Sequence, residues 1–484
     1  MSILAIDAGT TGVTVLLVGE HGEILSRGYS EFEQHFPKPG WVEHDPEQIW
    51  QATLAATRQA VTTDQTITAI GITNQRETLV FWNRGDLGAA RRAIVWQDRR
   101  TAEIVEELKD HESMVRAKTG TGLDPYFTST KLLWVRRNEP DLWQKIESGE
   151  VAIGTVETYL VARLSAGKSF ITDASNASRT QLCNIAKAGW DDELLALFQV
   201  PKGALAQIVP NYGQLAHTNP DAFLGIDAPI TGMAGDQQAA LFGQTAFEVG
   251  DAKCTYGTGA FFLTNTGKKR IASQNGLIST IAWQAPNGEI TYALEGSVFV
   301  AGSAVQWLRD GLKIIRKAKD VETLATEVPD SNGVVFVPAL TGLGAPWWKP
   351  EVRGTITGIS RGTTSAHIAR ATLEAVAYQV TDLAQAMEQD LGQKTNTLLV
   401  DGGMCQNNLL MQLQADLLKC KVSRGAVVET TGLGAALLAG LGAGIFSNLN
   451  ELKNLRTEAE RFEPQTNRDE SYTQWLRQVR ALIA

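Results

Sequence analysis

The sequence predicts an α/β protein of two lobes, each built on a mixed sheet, with a cleft between them. Three observations carry this. The chain has 484 residues, too many for one compact core, so two large domains are expected. Its opening alternates apolar and polar residues in the manner of a strand meander. A second copy of that opening pattern recurs near the middle of the chain.

In the first copy, Ile3 to Asp7 reads as a strand and Ala8-Gly-Thr-Thr-Gly12 as a tight turn. Val13 to Val18 returns, and Ile24 to Phe32 follows as a third strand. Pro46, after Asp45, starts an amphipathic helix through about Val61. Strands are expected at Ile67–Thr73, Leu79–Trp82 and Ala93–Trp96. Three antiparallel strands, a helix and further strand units describe a mixed sheet. In the second copy, Asp251 to Tyr256 leads into Gly257-Thr258-Gly259, and Phe261 to Thr264 leaves it. Strands near Leu277–Trp283 and Ile290–Leu294 follow, and Asn396 to Asp401 ends at Gly402-Gly403 before a helix from Asn407 to Lys419. The join is placed at 247/248, giving lobes 1–247 and 248–484. The tail from Ser447 reads as polar and helical, packed on the second lobe.

Composition narrows the function. Hydrophobic residues are 43% and charged residues 20%, the profile of a globular domain. The net charge of -9 argues against a nucleic-acid surface, and the densest basic run, Lys268-Lys269-Arg270, reads as a solvated turn. No signal peptide is expected from Met-Ser-Ile-Leu-Ala-Ile-Asp-Ala-Gly, which lacks a basic n-region. No membrane span is expected, since Ala435 to Phe446, the most apolar segment, is short and glycine-rich. Four dispersed cysteines read as buried reduced thiols, and the expected location is cytoplasmic.

Three segments can carry chemistry. Asp7-Ala-Gly-Thr-Thr-Gly12 puts small residues on a hairpin turn, where backbone N–H groups approach an anion and Asp7 suits Mg²⁺. An ordinary hairpin is the plain alternative, but Gly257-Thr258-Gly259 and Gly402-Gly403 offer further bare backbone at strand ends. Asp236, in Gly235-Asp-Gln-Gln-Ala239, is either a helix cap or a general base beside Gln237. Arg76 and Glu77, in Thr73-Asn-Gln-Arg-Glu-Thr78, are either a surface ion pair or the donor and acceptor a polyhydroxy substrate needs. Trp96, Tyr126 and Phe261 could wall such a pocket or be plain core. Ala166-Gly-Lys-Ser169 is rejected as a P-loop because position 162 is alanine.

Together these residues resemble the FGGY carbohydrate kinases, and within that family the members that act on glycerol. The resemblance runs from Ile3 to about Phe446. Its segments are Pro39-Gly-Trp-Val-Glu-His-Asp-Pro46, Gly71 to Thr78, Ala93-Ile-Val-Trp-Gln-Asp-Arg-Arg-Thr101 and Asn176-Ala-Ser-Arg-Thr180. Ala234 to Gly243, Thr255 to Gly259 and Val400 to Gly403 complete the set. It implies an actin-like ATPase fold: two RNase-H-like domains with mixed five-stranded sheets flanking an interdomain cleft. It implies transfer of the γ-phosphoryl of ATP to a terminal hydroxyl of glycerol, giving glycerol 3-phosphate and ADP. The polyol would be held by Arg76, Glu77, Tyr126, Asp236 and Gln237, with Trp96 and Phe261 as walls. The nucleotide would meet Thr10, Thr11, Gly12, Thr258, Gly302, Gln306, Gly403 and Asn407. Mg²⁺ would lie near Asp7 and Asp236, and Asp236 would be the catalytic base. A homodimer or homotetramer is the implied assembly.

The sequence departs from the family at the first turn, where Ala8, Gly12, Val13 and Thr14 stand in place of Gln, Ser, Ser and Arg. Glu157 and Trp347 also replace more usual residues. The alternatives are another substrate of the same family (erythritol, xylulose or ribulose) and a non-catalytic actin-like ATP-binding protein.

Overall fold

The computed structural model describes residues 2–61 and 65–484. A first sheet holds β1 (Ser2–Ala8), β2 (Gly12–Gly19), β3 (Ile24–Glu31), β4 (Ile67–Asn74), β5 (Tyr212–His217) and β6 (Pro229–Gly235), in the order β5-β6-β4-β1-β2-β3. β1, β2 and β3 pair antiparallel, β4 and β6 extend β1 in parallel, and β5 is antiparallel at the edge. A second sheet holds β7 (Ala252–Tyr256), β8 (Ala260–Gly267), β9 (Ile278–Gln284), β10 (Ile290–Val298), β11 (Thr397–Asp401), β12 (Lys421–Gly425) and β13 (Glu458–Phe462). Its order is β9-β10-β8-β7-β11-β12-β13. The run β10-β8-β7-β11-β12 repeats the run β3-β2-β1-β4-β6, three antiparallel strands continued by two parallel ones. The actin-like pairing of two RNase-H-like lobes is therefore present.

Three expectations need correction. The repeated run has five strands, but the sheets have six and seven, because β5, β9 and β13 extend their edges. The tail is not wholly helical, since Glu-Ala-Glu-Arg-Phe forms β13 on β12. A charged edge strand carries little apolar signal, and charge there discourages edge-to-edge association. The strand expected at Ala93–Trp96 instead runs Ala89–Ile94 and leaves Trp96 beyond its end.

Four helices pack on these sheets: α1 (Pro46–Ala60), α2 (Asp236–Gly243), α3 (Ser365–Leu391) and α4 (Thr430–Gly442). α1 begins as expected, with Pro46 in its first turn and the Asp45 side chain accepting from Glu47 N at 2.9 Å. α4 follows the second lobe's β12 in sequence, yet packs on β1, β4, β6 and α2 of the first lobe. Its residues Ala435 to Ala439 are all within 1% of full burial, as a helix apolar on every face requires. Backbones make this contact: a Cβ at Gly434 would overlap the Ala239 carbonyl, and one at Gly71 would overlap that of Ala435. The lobes are thus interlocked through the core. No helix among the described residues is long and apolar enough to cross a membrane.

Candidate active site

Asp7, Arg76 and Asp236 leave the carboxyl ends of β1, β4 and β6, three neighbouring parallel strands, where α/β sheets gather ligands. Gln75 N donates to Ala8 O at 2.9 Å and keeps the first two ends together.

Successive residues of a strand point to opposite faces, but Arg76 and Glu77 enter one cluster because Glu77 is left-handed, with φ of 60°. Thr78 N bonds to Arg76 O at 2.7 Å, and Thr128 Oγ1 donates to Glu77 O at 3.1 Å; together they hold the turn. Both side chains are buried. Arg76 Nε lies 2.9 Å from Asp236 Oδ1, while Nη1 and Nη2 reach Glu295 Oε2 and Oε1 at 2.6 and 2.9 Å. Nη1 also donates to Gln238 Oε1 at 3.2 Å. Glu77 Oε1 accepts from Arg179 Nε at 2.6 Å, and Arg179 Nη2 reaches Glu295 Oε1 at 3.2 Å. Arg179 Nη1 is buried without a partner.

Asp236 is the open member of the cluster, its side chain 30% exposed. Oδ1 is engaged by Arg76 and by Gln237 N at 2.7 Å; Oδ2 has no hydrogen bond among the described residues. Burial raises its pKa, against the opposing pull of Arg76. Glu295 is held down to about 2: burial would raise it, but Arg179 and Arg76 outweigh that. Gln237 Oε1 accepts from Lys253 Nζ, which also reaches Thr255 Oγ1 at 2.9 Å.

Trp96 and Tyr126 meet edge to face, with centroids 5.6 Å apart, and the Trp96 indole donates to Thr10 Oγ1 at 3.0 Å. One wall of the cluster is thereby tied to the first glycine turn. Phe261 sits opposite Thr255 and Ser297, two residues from Leu263, which pairs with Lys253 and Glu295. It therefore shares their sheet face.

The remaining second-lobe residues form their own cradle. Gly302 N donates to Gly257 O at 3.0 Å, and Ser303 N to Thr258 O at 3.0 Å. A Cβ at Gly302 would lie 2.6 Å from Gly257 O, and one at Gly402 (φ 85°) would lie 2.5 Å from Tyr256 O. Thr258, Gln306 and Gly403 are exposed around this contact. Asn407 caps the following helix, its Oδ1 accepting from Leu410 N at 2.8 Å. No hydrogen bond among the described residues joins this cradle to the Thr10–Gly12 turn.

Asp7 is pushed up to about 8, first by burial and then by the Asp236 and Glu429 carboxylates. Thr14, directly across the hairpin, supplies no charge. A carboxyl group with no cationic partner among the described residues, beside a glycine turn, fits Mg²⁺, which takes one or two carboxylates in their ionised form and completes its shell with water and phosphate oxygens.

The sequence reading missed Glu295, Lys253, Arg179 and Gln238 as members of this cluster. Lys253 and Glu295 were legible only as charges inside apolar strands, whereas Arg179 and Gln238 stood in the segments Asn176–Thr180 and Gly235–Ala239 without a role.

Residues 2–243 match the FGGY family of carbohydrate kinases, N-terminal domain, and residues 252–443 the C-terminal domain. The chain belongs to the FGGY family of carbohydrate kinases. This FGGY chain is 51% identical over 459 residues to the glycerol kinase of Bdellovibrio bacteriovorus, covering 94% of this chain and 93% of that one. It is 49% identical to glycerol kinase 2 of Thermotoga maritima, covering 99% and 98%. The solved structure of Plasmodium falciparum glycerol kinase with ADP superposes with a TM-score of 0.92 at 35% identity, covering 100% of this FGGY chain and 98% of that one.

Proposed function

We propose that this FGGY kinase transfers the γ-phosphoryl of ATP to a terminal hydroxyl of glycerol, giving glycerol 3-phosphate and ADP. The observation that carries the reading is the Arg76–Asp236 pair at 2.9 Å, in which one carboxylate oxygen is engaged and the other is left open to a ligand. The naming of its relatives after glycerol supports the same substrate.

Phosphoryl transfer is mostly positioning and electrostatics. On this reading Asp236 Oδ2 accepts the proton of the attacking hydroxyl, and its raised pKa suits a base. Arg76 has five N–H donors, three of them in hydrogen bonds to Glu295 and Gln238, with Nε ion-paired to Asp236, so donor capacity remains for a substrate hydroxyl. Glu77, Gln237 and Tyr126 orient the polyol, and Trp96 and Phe261 shield its carbon face. The amides of the Gly9–Gly12 and Gly257–Gly259 turns, with Thr10, Thr11 and Thr258, cradle the phosphates; Gly302, Gln306, Gly403 and Asn407 line the rest of the nucleotide path. Asp7, with Asp236 nearby, would hold Mg²⁺, which supplies charge neutralisation on the β- and γ-oxygens. Lobe 1–247 carries the polyol site and first turn, and lobe 248–484 the nucleotide cradle. The four free buried cysteines agree with a cytoplasmic setting.

The test is ADP release measured over glycerol, erythritol, xylulose and ribulose. The highest kcat/KM is expected with glycerol. Release of no ADP with any of them would refute the reading.

A further inference from the structure

The polyol residues just proposed all lie in the first lobe, except Phe261, yet two of them are gripped from the second. Lys253 on β7, Leu263 on β8 and Glu295 on β10 are directly opposite one another across three strands. The two charged ends of this row each land on a first-lobe polyol residue: Glu295 on Arg76, and Lys253 on Gln237. Both are fully buried. A charge so placed costs free energy unless paired, so neither is incidental filling.

We propose that Glu295 is a positioning residue for polyol phosphorylation, holding Arg76 from the opposite lobe in the orientation that leaves Asp236 free to act. The inference rests on the proposed polyol site. Its fork on Nη1 and Nη2 is bidentate, a geometry that fixes the guanidinium plane as well as its place. With that plane fixed, Arg76 approaches Asp236 through Nε at Oδ1, while its Nη atoms are held on Glu295 and Gln238. Without the fork, Arg76 could turn its paired Nη edge onto Asp236 and cover both carboxylate oxygens. Arg179, whose Nη2 reaches Glu295 and whose Nε reaches Glu77, extends the same fixation to the second polyol residue.

The strands that carry these grips also lead into the nucleotide cradle. β7 ends at Tyr256, directly before Gly257-Thr258-Gly259, and β10 ends at Val298, four residues before Gly302. A shift of the cradle is therefore felt at Arg76 and Gln237 through two rigid strands. The polyol site is complete only when the second lobe is in place, which couples alcohol binding to lobe position without a dedicated lid.

The test is a double-mutant cycle on Arg76→Ala and Glu295→Gln, reading glycerol KM, ATP KM and kcat separately, with unfolding midpoints alongside. Glu295→Gln keeps shape but loses the charge. The expected result is a loss of about 10²-fold in kcat/KM for glycerol, the scale of a small misplacement, with ATP KM within a few-fold of the parent. In the cycle, Glu295→Gln should add little once Arg76 is gone. Independent, additive losses would overturn the proposal, as would glycerol parameters for Glu295→Gln within twofold of the parent. If Arg76→Ala alone leaves the glycerol KM unchanged, the polyol site itself is misassigned, which is a different failure. Should Glu295→Gln not fold, Glu295→Asp, which keeps the charge one methylene short, is measured in its place. Weakened glycerol binding at an unchanged unfolding midpoint supports the role, and unchanged binding refutes it.

Discussion

Asp7 and Asp236 leave the carboxyl ends of β1 and β6, strands separated only by β4, and the second carboxylate helps hold a proton on the first up to about pH 8. Burial is the larger cause, and Glu429 adds to both. A carboxyl whose folded pKa lies above its ordinary value near 4 binds its proton more tightly in the folded state. Stability is therefore lost as pH rises from about 4 to about 8. Asp7→Asn removes that loss. We expect the variant to melt a few degrees above the parent at pH 8, worth about 1 kcal/mol or more, with the gap closing towards pH 4, while turnover is abolished. A gap that is constant with pH, or reversed, would show that Asp7 carries no such proton.

The same carboxylate must be ionised to bind a cation, so Mg²⁺ binding by the nucleotide-free protein should strengthen as pH rises towards 8 and release protons. Thr14→Arg would place a guanidinium across the hairpin from Asp7 and should move that dependence to lower pH. Calorimetric titration of Mg²⁺ in two buffers of different ionisation enthalpy reads both effects.

Asp236 and Arg76 are in contact but should fail differently. Asp236→Asn keeps the shape and the acceptor for Gln237 N, so glycerol should still bind while turnover falls by about 10²–10⁴. Arg76→Ala removes the proposed donor to a substrate hydroxyl and leaves Glu295 buried without its fork, so glycerol KM should rise first. Calorimetric binding of glycerol beside steady-state kinetics separates the two. Near-normal turnover in Asp236→Asn would take that residue out of the base role.

Both lobes were legible because each opens with a short apolar-rich strand, a glycine turn and a second such strand, and because Asp7, Arg76 and Asp236 each stand at or just beyond the end of an apolar strand. The edge strand β13 was less legible: it is charged, and its pairing partner is set by tertiary contact. Lys253 and Glu295 lie inside apolar strands, at Ala-Lys-Cys and Leu-Glu-Gly, where a charge has to find a buried partner. Sequence flags such a residue but cannot name the partner, since Arg76 and Glu295 are 219 positions apart. The crossing of α4 onto the first sheet was hidden for the same reason. Its apolar, glycine-rich composition shows that it is buried, not against which sheet.

That crossing depends on glycine at Gly434, where a side chain would meet the Ala239 and Gly243 backbones of α2. Backbone cannot move aside as a flexible side chain can. Gly434→Val should cost about 3 kcal/mol or more, whereas Gly85→Ala, in open space, should stay within about 0.5 kcal/mol. Urea unfolding of the two variants checks this, and equal midpoints would mean that the helix contact tolerates a side chain.

Glu157 lies fully buried behind the turn that presents Arg76. Its Oε1 accepts from the hydroxyls of Thr155, Thr158 and Thr172 at 2.6, 3.0 and 2.7 Å, and its Oε2 from Asn74 Nδ2 at 3.0 Å. Burial first, and then the nearby Asp173, push its pKa up to about 7, although the threonine hydroxyls pull the other way. The ordinary glutamate value is near 4.3, so the folded state holds the proton more tightly and stability should fall as pH rises from about 4 to about 7. Glu157→Gln cannot ionise. Its amide also meets Asn74 Nδ2 with a donor on one side, which shifts stability by the same amount at every pH. The slope is the informative quantity: between pH 5 and pH 8 the variant should lose fewer degrees of melting temperature than the parent. Parallel curves would mean that Glu157 is already ionised at pH 5, held so by its four donors.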